Sequence, residues 1–208
     1  MSNAQSLFPE TNEAQDHVRT MGLVMVKPHA VQQGLDHIVE AMLRGDSRLL
    51  QASLADQALR QTIERTELLN PIARDLSETR SGQKLIDLFY GDKTDRRYFP
   101  LIAEWYTGKV LFLPFLLDTL SQEQLTVDLD TLKGTTQTFD SSGLEVDASL
   151  GIRGILGSPY SVYKTDEIER MSDSAYRTAV EPMIQNFVHV CDKPGEAVAA
   201  LELIGCAN

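Results

Sequence analysis

Four short stretches of this 208-residue sequence carry side chains that could do chemistry. GLVMVKP, Gly22 to Pro28, is an apolar run that ends on Lys27. FYGDKTDRRYF, starting at Phe89, gathers Tyr90, Tyr98 and two arginines. LGIRG sets Arg153 among glycines, and NFVHVCD places Asn186 and an ionisable ring, His189, on a second apolar run. The cations are of the kind that hold a small anionic ligand, and an imidazole can carry a proton or act as a nucleophile. Taken singly, each has a plainer reading: a snorkelling lysine, a solvated arginine, a core histidine with a hydrogen-bond partner.

Common signatures are absent. No G-x-x-x-x-G-K-[ST] occurs, so the chain is not a P-loop protein. GIRGILG has glycines at 151, 154 and 157 but lacks the strand-then-helix setting of a dinucleotide fingerprint. Neither a metalloprotease helix nor a nucleophile elbow appears. The two cysteines, Cys191 and Cys206, have no metal-knuckle or disulfide spacing, so no metal site is expected from them.

The elements that must position these residues follow from periodicity. GLVMVKP is short and valine-containing, which predicts a buried strand stopped by Pro28. Leu35, Ile38, Val39, Met42 and Leu43 fall at helical spacing before Gly45. Residues from Asp46 to about Arg60 have helical propensity without a sharp pattern, and QTIERTELL alternates like a second strand. The stretch after Pro71 reads as short helical pieces broken at Ser81-Gly82. RRYFPLIAEWYTG predicts a helix closed by Gly108, and KVLFLPFLL a strand with Pro114 near its end. A helix over LSQEQLTVDLDTLKG follows, then a long loop over 134–158. One helical stretch from Thr165 to Met183, the strand NFVHV and the helix EAVAALELI complete the chain. Strands alternating with helices predict helices packed on a sheet.

Together and in this order, the four stretches resemble the nucleoside diphosphate kinase family from about Gly22 to Ile204. LVMVKPHAVQQGL is similar to its strand-lysine-proline opening, YGDKTDRRYF to one wall of its nucleotide pocket, GIRG to its I-R-G step, and NFVHVCD to its N-x-x-H-x-S-D signature. The resemblance implies an α+β fold with a ferredoxin-like core, a four-stranded antiparallel sheet covered by helices. It implies a ping-pong reaction in which His189 takes the terminal phosphate of a nucleoside triphosphate and passes it to a diphosphate. By motif, Lys27 holds phosphates and Tyr90 sits beside the lysine and histidine. Tyr98 stands where an aromatic stacks on the base, with Ile102 one turn later. Thr136 and Arg153 touch phosphate, and Asn186 binds the sugar. Mg²⁺ accompanies the nucleotide, and the protein is expected to be a dimer-based homo-oligomer.

The sequence departs from the family pattern in ways that bear on activity. His29 replaces the aspartate after Lys-Pro, and Val190 and Cys191 replace small residues after the histidine. A second phosphate-binding arginine falls on Asp130, and a glutamate that orients the histidine falls on Ala200, with Glu196 and Glu202 close by. Two insertions lengthen the chain, near 46–82 and 157–185. Two functions are therefore carried forward: a working kinase, or an idle relative that binds nucleotide or a protein partner.

A net charge of −11 disfavours nucleic acid as a partner. Residues 1–19 read as a polar lead-in without signal-peptide character, and 20–208 as one domain. No apolar run approaches membrane-spanning length, so a cytoplasmic location is expected.

Overall fold

Two long strands organise the molecule, and their alternating side chains build a core on each face. In the computed structural model the described residues are 18–46, 57–77, 80–91, 97–119, 121–147, 151–157, 160–184, 186–193 and 195–205. Strand β1 (Val18–Val26) pairs antiparallel with a later strand, Lys109–Thr119, from Val18 opposite Thr119 to Val26 opposite Leu111. Along β1, Leu23 and Met25 enter one apolar cluster, whereas Val24 and Val26 enter the other. That alternation is the period of two that a strand imposes.

In chain order β1 is followed by α1 (Pro28–Gln32), α2 (Asp36–Leu43), α3 (Gln57–Glu64), β2 (Thr66–Leu68), β3 (Ile72–Asp75), α4 (Arg80–Tyr90), α5 (Tyr98–Trp105) and β4 (Lys109–Thr119). Then come α6 (Gln122–Lys133), β5 (Thr138–Phe139), β6 (Glu145–Asp147), α7 (Ile152–Leu156), β7 (Tyr160–Ser161), α8 (Thr165–Arg170), α9 (Asp173–Ile184), β8 (Val188–Val190) and α10 (Glu196–Leu203). The main sheet runs β8-β1-β4, with β2 and β3 both on the outer side of β4, and every pairing is antiparallel. This is an α+β protein with the ferredoxin-like core expected.

The outer position is filled by two short strands rather than one, and Pro114 accounts for the break. Pro114 lies in the middle of β4, not near its end, opposite Leu23. Its carbonyl accepts from Leu69 N (2.9 Å), beyond β2 and before β3 begins. Proline offers no N–H to a neighbouring strand, so the ladder lapses where it sits.

The face carrying Leu23 and Met25 is covered by Leu85, Ile86 and Phe89 of α4, Leu101 and Ile102 of α5, Tyr176, Val180 and Ile184 of α9, and Ala197, Ala200 and Leu201 of α10. The other face is covered by residues of α1, α2, α3, α6 and α7. Each fully buried Leu, Val or Phe contributes roughly 1.5–3 kcal/mol relative to exposure.

Several expectations need correction. QTIERTELL is not one strand: its first residues finish α3, and only Thr66–Leu68 pair. IARD is strand β3, not helix. Helix α4 runs unbroken through Ser81-Gly82, where buried Gly82 abuts Leu76: a β-carbon there would lie 3.2 Å from the Leu76 carbonyl. The loop expected over 134–158 holds α7 and, with Tyr160–Ser161, a small sheet in the order β6-β5-β7. The helical stretch near 165–183 is two helices, α8 and α9. Strand β1 starts at Val18, inside the expected lead-in; residues 1–17, and residues 47–56 of the stretch from Asp46 to about Arg60 that was expected to be helical, lie outside the described residues.

Candidate active site

The last turn of the sheet brings the chemistry-bearing residues to one end. His189 sits on β8 opposite Met25 of β1, and Lys27 N donates to Phe187 O (3.0 Å). Lys27 and His189 therefore issue from neighbouring strands. Val188 and Val190 point into the aliphatic cluster, so His189 points to the opposite face with Cys191. There its ring stacks on Phe89 (centroids 3.9 Å apart, planes at 24°) and meets the edge of Tyr90 (5.7 Å).

Lys27 is 1% exposed. Its Nζ donates to Asn186 Oδ1 (2.7 Å) and to Ile184 O (2.8 Å), and lies 5.3 Å from the Tyr106 ring centre. The Tyr106 and Tyr90 hydroxyls hydrogen-bond to each other. Burial, with the Arg153 charge adding to it, pushes Lys27 well below the usual lysine range. Burial also lowers the His189 pKa, and Glu196 pulls the other way. The ring is therefore neutral at neutral pH. Burial raises the Tyr90 and Tyr106 phenols, so both keep their protons.

Arg153 reaches the site through glycine contacts. Gly134 ends α6 at φ 62°, and its backbone packs on Gly151, where a β-carbon on either residue would lie 2.2–2.3 Å from the other's backbone. Only a residue without a side chain permits that approach at that φ. The contact sets α7 beside residues 134–136. Thr136 Oγ1 then donates to Arg153 O (3.1 Å), and Arg153 Nε donates to Val188 O (3.3 Å), one residue before His189.

The structure thus brings together Lys27, Tyr90, Arg153, Asn186 and His189, with Thr136 adjoining Arg153. Tyr98 lies 6.0 Å from Tyr90, its phenol pushed up by burial. Ile102 is fully buried and offers no surface to a ligand in this conformation. Both are packed in by the segment that ends in α9. Helix α9 sets Tyr176, Val180 and Ile184 into the same cluster, and Arg177 pairs with Glu104 of α5 (2.8 Å). Arg97 donates to Ile168 O (3.2 Å) and Met171 O (3.3 Å) and stacks on Tyr176 at 4.1 Å. The carbonyl that takes the Lys27 ammonium is in the last residue of α9. A separate 370 Å³ cavity adjoins Thr136 and Asn186, with His29 and Trp105 in its wall.

Three residues in or near this cluster were not singled out as site residues from the sequence. Tyr106 stood within the aromatic helix RRYFPLIAEWYTG without a role. Glu196 opens α10, 5% exposed, with Oε2 3.9 Å from His189 Nε2 and accepting from Asp192 N (3.2 Å). Lys133 binds Asp130 (2.7 Å) and Asp192 (2.6 Å), so a cation stands beside Asp130, held by two carboxylates.

No protein-family model matches this sequence, and no curated protein matches it. Similar folds occur among solved structures. One is nucleoside-diphosphate kinase from Borrelia burgdorferi, a transition state mimic with bound vanadate and ADP, at 13% identity and TM-score 0.53 over 89% of this chain and 86% of that one. Another is Aquifex aeolicus nucleoside diphosphate kinase, at 15% identity and TM-score 0.49 over 90% of this chain and 95% of that one. The likeness is one of fold.

Proposed function

We propose that this fold works as a nucleoside diphosphate kinase, moving the terminal phosphate of a nucleoside triphosphate to a nucleoside diphosphate through a phosphohistidine at His189. The observation that carries this reading is a buried, neutral imidazole on a rigid strand, with Lys27, Arg153, Tyr90 and Asn186 gathered around it from separate parts of the chain.

With Nε2 turned toward Glu196, the ring carries its proton there and keeps a lone pair on Nδ1. That lone pair attacks the terminal phosphorus. A P–N bond forms, the P–O bond to the departing diphosphate breaks, and the oxygen leaves with the electron pair. In the second half-reaction a terminal oxygen of another nucleoside diphosphate attacks, the P–N bond breaks and the lone pair returns to the ring. Such transfer needs mainly positioning and neutralised charge. Lys27 and Arg153 supply the cations and Thr136 a hydroxyl to phosphate. Tyr90 frames the ring, Asn186 takes the sugar, and Tyr98 with Ile102 forms the base side. Glu196 holds the ring's orientation.

Mg²⁺ enters as part of the nucleotide substrate. The acceptors nearest His189 include a thiol and only one carboxylate, a poor set for a hard cation that prefers oxygen ligands. Assembly as a dimer-based oligomer belongs to the same reading. Among the described residues, no helix is long and apolar enough to cross a membrane.

One observation favours the second reading, an idle relative. Lys27 already spends two of its three donors on Asn186 and the end of α9, and Ile102 is covered, so the base site requires α9 to shift. Incubation with γ-labelled ATP and Mg²⁺ separates the two. Acid-labile, alkali-stable label on the protein is expected for the kinase; bound nucleotide without label supports the idle relative.

A further inference from the structure

His189, Cys191 and Glu196 each place a metal-binding atom within 4.8 Å of the other two, and all three residues are buried. The arrangement follows from local geometry. His189 and Cys191 are two residues apart at the end of β8 and so share a face, and Cys191 N still donates to Leu23 O (3.0 Å). Glu196 returns under them on the first turn of α10. At the centre, His189 Nε2 is buried with no hydrogen-bond partner, and the residue as a whole is only 7% exposed. A buried polar atom left unpaired is unfavourable, and a bound cation would remove that cost.

We infer that His189 Nε2, Cys191 Sγ and a Glu196 carboxylate oxygen form a site for a soft divalent cation of the zinc class. An imidazole, a thiolate and a carboxylate suit zinc and not magnesium. Bond lengths of about 2.0–2.3 Å put tetrahedral ligands roughly 3.3–3.8 Å apart. The 3.9 Å between His189 Nε2 and Glu196 Oε2, within a set spanning up to 4.8 Å, therefore calls for a contraction of roughly 0.5–1 Å on binding. Three protein ligands leave a fourth position open. Binding releases the Cys191 proton to solvent, because only the thiolate coordinates.

The site is also a switch, a consequence that rests on the phosphohistidine reading. A neutral imidazole bound to metal through Nε2 must carry its proton on Nδ1. The lone pair that attacks phosphorus is then gone, so a zinc-loaded protein cannot be phosphorylated. Cys191 is the residue that adds this control, since the resembling motif has serine there and a hydroxyl is a poor zinc ligand.

The test uses the metal-stripped full-length chain, without nucleotide, titrated with Co²⁺ and Zn²⁺. One Co²⁺ per chain is expected to give tetrahedral visible bands and a near-ultraviolet thiolate charge-transfer band, both displaced by Zn²⁺. Cys191→Ser should lose the charge-transfer band, and Cys206→Ser should keep it. Glu196→Gln should weaken Zn²⁺ binding by at least the roughly 10–100-fold that outer-shell changes cost. Zn²⁺ should raise the melting temperature of the parent chain and not of Cys191→Ser, which also shows whether that variant is folded. Absence of the band in the parent chain, or its survival in Cys191→Ser, overturns the site. In the labelling assay, Zn²⁺ should block label uptake by the parent chain and leave Cys191→Ser responsive to ATP. Label uptake by a chain shown spectroscopically to be loaded overturns the switch. Spectroscopic binding in a chain that never takes label keeps the site and removes the kinase reading instead.

Discussion

The two faces of the main sheet are built from different materials. One is almost wholly aliphatic, with Val24, Val26, Leu113, Leu117, Val188 and Val190 closed by Leu and Ile from the helices. The other adds Phe89, Tyr106, Tyr176 and Cys191, with Tyr90, Tyr98 and Trp105 at its margin. The aliphatic face serves mainly as backing. The aromatic face pairs apolar bodies with polar tips, which lets a lysine and a histidine be buried there without being submerged in hydrocarbon. Rigidity comes from one side and reactivity from the other.

That division can be broken most forcefully from the backing side. Leu113→Ala, at a fully buried position, should cost about 2–5 kcal/mol in urea unfolding. Label uptake per folded molecule should stay near the parent value; a specific loss would mean the faces are coupled. Gly22→Ala should come next. The Phe115 ring lies across Gly22, and a β-carbon would fall 2.2 Å from it. Displacing that ring should cost about 1–3 kcal/mol, again read by unfolding.

On the reactive side the expected stability effects are smaller and the functional ones larger. Tyr106→Phe keeps the ring beside Lys27 and removes the hydroxyl that pairs with Tyr90. It should cost about 0.5–1.5 kcal/mol, a shift of a few degrees in the melting midpoint, and lower the rate of label uptake per folded molecule. A change in stability with no change in rate would make the tyrosine pair mere packing.

The smallest effect is on pH dependence. Burial lowers the His189 pKa from the ordinary 6.5, with Glu196 offsetting part of it. The unfolded chain then binds the proton more readily than the folded one. The contribution of a neutral His189 to stability is fully present above pH 6.5 and is lost as pH falls through the folded value. Histidine NMR should place this titration below the ordinary value; a midpoint above it would make the carboxylate, not burial, the dominant influence.

What was legible in the sequence tracks how local the physics is. β1 and β4 were readable because burial on both faces leaves dense apolar runs. Helix α6 was readable from its periodicity, and Ser121, which accepts from Gln124 N, with Gly134 marks its ends. Strand β3 was not, because three of its four residues are exposed and it exists only where Pro114 splits the edge. Strands β5 to β7 are two or three residues long, too short to show a period. The site residues were legible as motifs. Their closeness to Glu196, Lys133 and Tyr106 was not, since it depends on where α10, α6 and α5 end in space. Nor could spacing reveal that α9 would press on Tyr98 and cover Ile102.

The most direct test is phosphate on one ring. Purified chain incubated with γ-labelled ATP and Mg²⁺, then digested, should yield a single acid-labile phosphopeptide containing His189. The label should pass to added nucleoside diphosphate and be absent from folded His189→Gln. Label retained in His189→Gln, or no label in a parent chain shown to bind ATP, contradicts the assignment of His189 as the group that carries the phosphate.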